Sequence, residues 1–347
     1  MYTQGKKRNS SVELFRILAM LFVVIVHYNG WLTGGMADHF DQDAASVHSV
    51  TQATIQGMTA VCVNCFLVIT GYYGVKFKGR TFWNMWVLLV CIYVPCEILM
   101  QGYHGEIHPM AFVDDILAFT RESYYVQCYL MLVFLSPILN SFIEKYDKKI
   151  LPYVLMFWGI EFVMDWGHHN HSLGFEQGYG LIHFVLMYML GRTAALYKDK
   201  ITSMNINCFR GGYFICCLLM ALSYIAGLSY DRSYCYSNPL NIVGSFCLFF
   251  LFLRRNYYNK WINKVAASTF SVYILHTCAP MILVIGKIDV YTLSHYSYGL
   301  YLLIGAGVIA SVYIIGTLYD WVRIAITHRV SEHIYQWLSK KIKINYI

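Results

Sequence analysis

Glu13, Arg16 and His27 lie in ELFRILAMLFVVIVHYNGW, residues 13–31, a run otherwise apolar enough to dissolve in lipid. An ionisable side chain near the bilayer centre costs at least ~2.5 kcal/mol on insertion scales, so such groups pair, line a cavity or do chemistry. Arg16 and His27 are eleven residues apart. On a helix of 3.6 residues per turn that spacing brings them within ~20° of each other and ~16 Å apart along the axis. Glu13 projects within about 40° of His27, so the three make one polar stripe turned away from lipid. A neutral imidazole can take a hydroxyl proton near neutral pH. A guanidinium can hold phosphate or steady negative charge, and Glu13 can fix that guanidinium. The same stripe also suits an interfacial ion pair with an interhelical hydrogen bond, or the lining of a transport path.

Other polar residues fall at compatible depths in apolar runs. They are His276 in STFSVYILHTCAP, Glu97 after Pro95, Gln127 and Tyr129 in YYVQCYL, Glu161 and Asp165 in GIEFVMD, and His183 in LIHFV. Depth is not adjacency, and each by itself fits an interhelical hydrogen bond. His168, His169 and His171 are crowded into four residues without the His-x-x-x-His spacing that puts two ligands on one side of a metal, so no metal site is expected. Nor is there a phosphate-cradling Gly loop, a G-x-S-x-G elbow or a Ser-x-x-Lys motif in context.

The elements that must position these residues are membrane helices. Of 347 residues, 58% are hydrophobic and 13% charged, which excludes an ordinary soluble domain. Apolar runs long enough to cross a ~30 Å hydrocarbon core recur at 12–32, 51–75, 82–101, 124–143, 151–166, 178–197, 211–229, 239–253, 266–286 and 298–322. The expected fold is all-α, a polytopic membrane helical bundle of about ten transmembrane helices. Charge tests this count independently. With the N-terminus inside, 22 of the 26 Lys and Arg fall in cytoplasmic segments and only Arg121, Arg232 and Lys287 fall outside. Both termini are therefore expected in the cytoplasm. The net charge of +7 describes one membrane face with anionic lipid as its partner, not a nucleic-acid surface.

Lys6, Lys7 and Arg8 before an apolar run imitate a signal peptide, but the run is long, holds Glu13 and Arg16 and lacks a small-x-small cleavage site. It reads as a retained first span. Most of the eleven cysteines lie within spans, so no disulfide framework is implied, and Cys62-x-x-Cys65 reads as a pair of small hydrophobes. The external loops 33–50 and 102–123 are acidic, with Asp38, Asp41, Asp43, Glu106, Asp114 and Asp115, and suit the rim of an entrance. Two regions are expected, a membrane domain over 1–323 and a basic amphipathic cytoplasmic tail over 324–347, where Ile334, Trp337, Leu338 and Ile342 fall at helical spacing beside Lys340, Lys341 and Lys343.

The opening RNSSVELFRILAMLFVVIVHYNGW resembles the first-span signature of the bacterial integral-membrane acyltransferase-3 family, O-acyltransferases of surface glycans. VNCFLVITGYYGVKFKGR resembles that family's second span with its basic exit, YYVQCYLMLVFLSPILN its tyrosine-rich entry, HFVLMYMLGR its Leu-Gly exit, and STFSVYILH a late span ending in His. The likeness runs in order over nearly the whole chain. It implies transfer of an acyl group, acetyl in most members, from cytoplasmic acyl-CoA to a hydroxyl of a cell-surface glycan or its lipid-linked precursor, in the bacterial cytoplasmic membrane. His27, Arg16 and Glu13 are then the catalytic residues, with His27 as base. Arg16, Lys76, Lys78 and Arg80 are the donor-binding set, and His276, Gln127 and Tyr129 face the acceptor. The family often has an arginine pair where this chain has Lys76, Lys78 and Arg80, which keeps the charge but not the bidentate fork. The esterase-like domain that some members append is absent from this sequence, so transfer is expected to finish in the membrane domain or with a partner. The opposing expectation is a flippase or transporter for a lipid-linked sugar or small solute; acyl-CoA consumption separates the two.

Overall fold

The computed structural model describes residues 8–31, 47–105, 107–117, 123–168 and 174–342. Every regular element among them is helical. Four helices open on an asparagine whose side chain accepts a backbone N–H of the first turn: Asn9 from Ser11, Asn205 from Asn207, Asn238 from Leu240, and Asn259 from Trp261 and Ile262. Each cap satisfies a donor that lipid or protein would otherwise leave orphaned.

All ten expected apolar runs fall on helix, but they do not make ten separate straight spans. Among the described residues seven helices are long and apolar enough to cross a membrane, or up to eight if a bent pair counts as one. Runs 124–143 and 151–166 join into one helical stretch, Tyr124–Gly167, through a 3₁₀ turn at Asp147–Ile150. Run 178–197 yields Leu181–Leu196, only 16 residues long. Run 266–286 is broken: Thr269–His276 ends before Ala279–His295, and the Lys260–His276 and Ala279–His295 helices are bent by 78°. Pro280 causes this break, since it has no N–H to give and disfavours helix in the residue before it.

The chain divides into two units, each drawn from two stretches. The first comprises Met1–Val75 and Leu135–Ala267. Its first helix, Ser10–Val26, is pinned at its start. Ser10 N–H donates to Tyr257 O at 2.8 Å, the Ser10 hydroxyl to Asn263 Oδ1 at 2.8 Å, and the Ser11 hydroxyl to Phe252 O at 2.7 Å. Phe15 fills the space beneath, against Phe249 and Phe252. The helices Cys62–Tyr73 and Leu181–Leu196 touch backbone to backbone, because Gly71 faces Gly191. A Cβ on Gly71 would lie 2.5 Å from Tyr188 O, and one on Gly191 2.9 Å from Gly71 Cα. Small residues at such crossings let helices close without a hydrophobic drive between them. Tyr188 and Asn140 then tie off the chain at Val75: Val75 N–H donates to the Tyr188 hydroxyl, and Asn140 Nδ2 to Val75 O.

The second unit comprises Lys76–Phe134 and Ser268–Ile347. Its core gathers Leu88, Leu89, Ile92, Tyr93, Val126 and Ile274. The Tyr298–Ile342 helix packs Gly316 against Val272 and, near its C-terminal end, meets the Gly79–His104 helix, where Trp83 Nε1 donates to Ser331 and Arg80 pairs with Glu332 at 2.5 Å. The expected boundary at 323 falls inside this continuous helix. Asp115, expected on an acidic rim, is fully buried in the Pro109–Leu117 helix. Asp38, Asp41, Asp43 and Glu106 lie outside the described residues.

Candidate functional site

The first helix carries the stripe as its sequence predicts. Glu13 and Arg16 pair one turn apart, Oε2 to Nη1 at 3.9 Å, with the Arg16 side chain 37% exposed and that of Glu13 8%. This is a loose pair. It stands in a cleft of about 570 Å³ lined by Arg8, Asn9, Tyr72, Tyr73, Lys198 and Asn256, among others. Three cations against one carboxylate leave the cleft electropositive. Its size is that of a small-molecule or cofactor site, and a half-exposed guanidinium beside a single carboxylate keeps donors available for phosphate.

His27 stands at the other end of the same helix. The α-helix runs unbroken through Val26 and then widens into a π-helical turn, His27–Trp31, with His27 half-buried at its start. Single π turns inside helices mark functional positions more often than chance. Arg16 and His27 are thus on one helical face but, by the rise of the helix, ~16 Å apart. The π turn is held by Asn29, which donates to Gln56 Oε1 at 3.0 Å, and Gln56 in turn donates to the Tyr230 hydroxyl at 2.7 Å. Beside it lies a small cavity of about 20 Å³, lined by Val26, Gln56, Gln177, Tyr179, Tyr230 and Tyr236 among others.

The remaining expected site residues belong to the second unit. Lys76 and Lys78 are exposed, and Arg80 is engaged by Glu332 and lies over the Tyr335 ring at 6.0 Å. His276 is buried, with Nδ1 donating to Val272 O at 2.8 Å, which leaves Nε2 as the acceptor in the neutral ring. Tyr129 stacks on Tyr125, which meets Tyr273, whose ring meets His276. These make one aromatic row. Gln127 is exposed beside it.

What sequence reasoning missed is a second polar constellation in the first unit. His183 Nδ1 lies 2.9 Å from Glu161 Oε1 and Nε2 lies 2.8 Å from Asn64 Oδ1. Asn64 Nδ2 donates to Asn241 Oδ1 and to Tyr236 O, and Asn241 Nδ2 donates to the carbonyls of Ala60, Tyr234 and Cys235. All four side chains are fully buried. The available signal was a lone carboxamide in each of two apolar runs, Asn64 in VCVNCFLV and Asn241 in PLNIVGSF. Among the described residues no group of three or more His, Cys, Asp or Glu is placed to hold a metal. His169 and His171 lie outside them.

Comparison with known proteins gives one match. A family model described as an acyltransferase domain covers residues 9–321, nearly the whole chain. No curated protein and no solved structure matches.

Proposed function

The chain belongs to the acyltransferase-domain family, and from that premise we propose that it transfers an acyl group, acetyl first among candidates, from cytoplasmic acyl-CoA to a hydroxyl of a cell-surface glycan or its lipid-linked precursor. That it is a multi-pass membrane acyltransferase follows from the family and from its apolar helices. The observation that carries the finer reading is the electropositive cleft around Arg16, on the same helical face as His27.

In this reading the donor's phosphates lie against Arg16, Arg8 and Lys198, and its long thioester arm runs along the first helix toward His27. Arg8, Lys198 and Asn256 all come from the segments that concentrate Lys and Arg. This supports a cleft that opens on the cytoplasmic face. His27 takes the proton of the acceptor hydroxyl as its oxygen attacks the thioester carbonyl. The carbon–sulfur bond then breaks, the acyl group leaves as an ester of the acceptor, and the departing thiolate takes up a proton. Glu13 keeps Arg16 oriented while the cleft is empty. Lys76, Lys78, Arg80 and the row from His276 to Tyr129 stay proposals for donor and acceptor contacts, as does a cytoplasmic location for residues 324–347 and both termini.

The test is consumption of labelled acetyl-CoA by purified protein with and without surface glycans from the producing cells, with mass spectrometry of the glycans. Acceptor-dependent loss of acetyl-CoA together with one new ester is expected. A protein indifferent to acyl-CoA would end this reading in favour of a transporter. Impermeant labelling of a cysteine placed at 147 should fail from outside intact cells.

A further inference from the structure

The chain of buried side chains from Glu161 to Asn241 has a determined direction. Asn241 Nδ2 faces only carbonyls, so its Oδ1 must accept from Asn64 Nδ2. Asn64 Nδ2 also faces Tyr236 O, so its Oδ1 points at His183. His183 Nε2 must therefore carry a hydrogen. The one remaining proton lies between His183 Nδ1 and Glu161 Oε1, on the ring or on the carboxyl, and in either place the pair is neutral as a whole. Full burial enforces that neutrality, because a net charge there has no solvent to meet.

The far end of this chain is the wall of the small cavity beside the first helix. Asn64 and Asn241 hold the carbonyls of Tyr234, Cys235 and Tyr236. Tyr236 N–H holds Gln177 O, and Gln177 N–H is held by Asp165 Oδ1 at 2.9 Å, one turn beyond Glu161. The turn so fixed needs holding: Glu176, Gln177 and Gly178 have φ of 50°, 58° and 86°. Non-glycine residues rarely adopt such angles without surrounding structure to impose them. Nothing in the proposed chemistry uses Glu161, His183 or Asp165, yet all the strands of this network converge on the segments 177–179 and 234–236 that line the cavity with Val26, the residue before His27.

We infer that Glu161 and His183 form a proton-sharing pair that positions this wall, and that the wall forms the side of the site on which the acceptor hydroxyl is taken. They are positioning residues, and they set acceptor affinity without touching the donor cleft. The kinetic part rests on the acyl-transfer reading; the positional part does not.

Cys235, in the wall and buried, reports on it directly. Its alkylation by N-ethylmaleimide, followed by peptide mass spectrometry on detergent-purified full-length protein, is compared with the acceptor and donor KM. Glu161→Ala and His183→Ala should speed Cys235 alkylation and raise acceptor KM about tenfold, the worth of one hydrogen bond to a charged or strongly polar group, with donor KM unmoved. Glu161→Gln should restore both, since its amide N–H donates to Nδ1 and leaves Nε2–H on Asn64. Asn241→Ala breaks the chain beside the wall and leaves the pair intact, so it should also expose Cys235 and it carries the test if the other variants do not insert. A Cys235 as protected as in the parent in these alanine variants, or donor and acceptor KM rising together, overturns the positioning role. A Glu161→Gln protein as exposed as Glu161→Ala overturns the shared proton. If the parent consumes no acyl-CoA the proposed function falls, and the alkylation rates still decide this inference.

Discussion

The first unit contains two pairings of a carboxylate with a basic side chain, and they are built in opposite ways. Glu13 and Arg16 meet at 3.9 Å in an open cleft with the guanidinium more than a third exposed. Glu161 and His183 meet at 2.9 Å with neither side chain exposed at all. Water screens the first pair, so its net worth is small and its partners are exchangeable. The second is sealed from water, and removing one member leaves the facing atom of the other in a place that cannot solvate it. An open, loose pair suits a ligand that must come and go; a sealed, tight one suits a shape that must not change. On the proposed function, binding falls to one of these pairs and architecture to the other.

The largest expected effect falls on the residue that neither pair contains. His27→Asn keeps a hydrogen-bonding side chain and removes the titratable nitrogen, so transfer per folded molecule should drop by ~10²–10⁴. Parent-like turnover in a well-folded variant would strip the stripe of its catalytic meaning. Next comes the sealed pair: His183→Ala should cost about 1–3 kcal/mol of stability, the price of a buried unsatisfied partner, read as a lowered melting midpoint. No change in melting would erase the contrast with the cleft. Arg16→Lys keeps the charge but loses the fork, and acyl-CoA binding should weaken by roughly tenfold, about 1.4 kcal/mol, with melting unchanged. Equal affinity would return Arg16 to a structural role beside Glu13. The smallest effect is expected for Lys198→Ala, a loss of donor affinity of about fivefold or less that shrinks further in high salt, as an exposed charge contact does. A loss insensitive to salt would mean that Lys198 acts through packing.

Much of this was legible beforehand, and the reasons differ by element. Hydropathy alone located the long apolar helices, because a chain in lipid must satisfy its backbone internally, but not the short Pro109–Leu117 and Tyr230–Tyr234 helices between them. The Glu13–Arg16 pair was legible because i and i+3 on a helix are neighbours whatever the tertiary fold. The break near Thr277 was not read, although Pro280 was in view; a proline near a helix end can start a new helix as well as bend an old one. Glu161 and His183 were noticed singly, but their meeting depends on Asn64 and Asn241, over a hundred residues away in one case, and no local period encodes it. Arg8 and Lys198 looked like ordinary members of a cationic face until the fold put them around Arg16.

The shortness of the Leu181–Leu196 helix has a geometric consequence. Sixteen residues rise about 24 Å, less than the ~30 Å hydrocarbon core that a full span must cover. One of its flanks is Tyr179, on the small cavity, and the other is Lys198, on the cleft. The Ser10–Val26 helix also runs between these two places, from Arg16 to Val26, and the Cys62–Tyr73 helix packs against both. In the acyl-transfer reading, a flexible tether anchored by its charged end at the cleft has a helix shorter than a full hydrocarbon core to follow before its reactive tip reaches the small cavity.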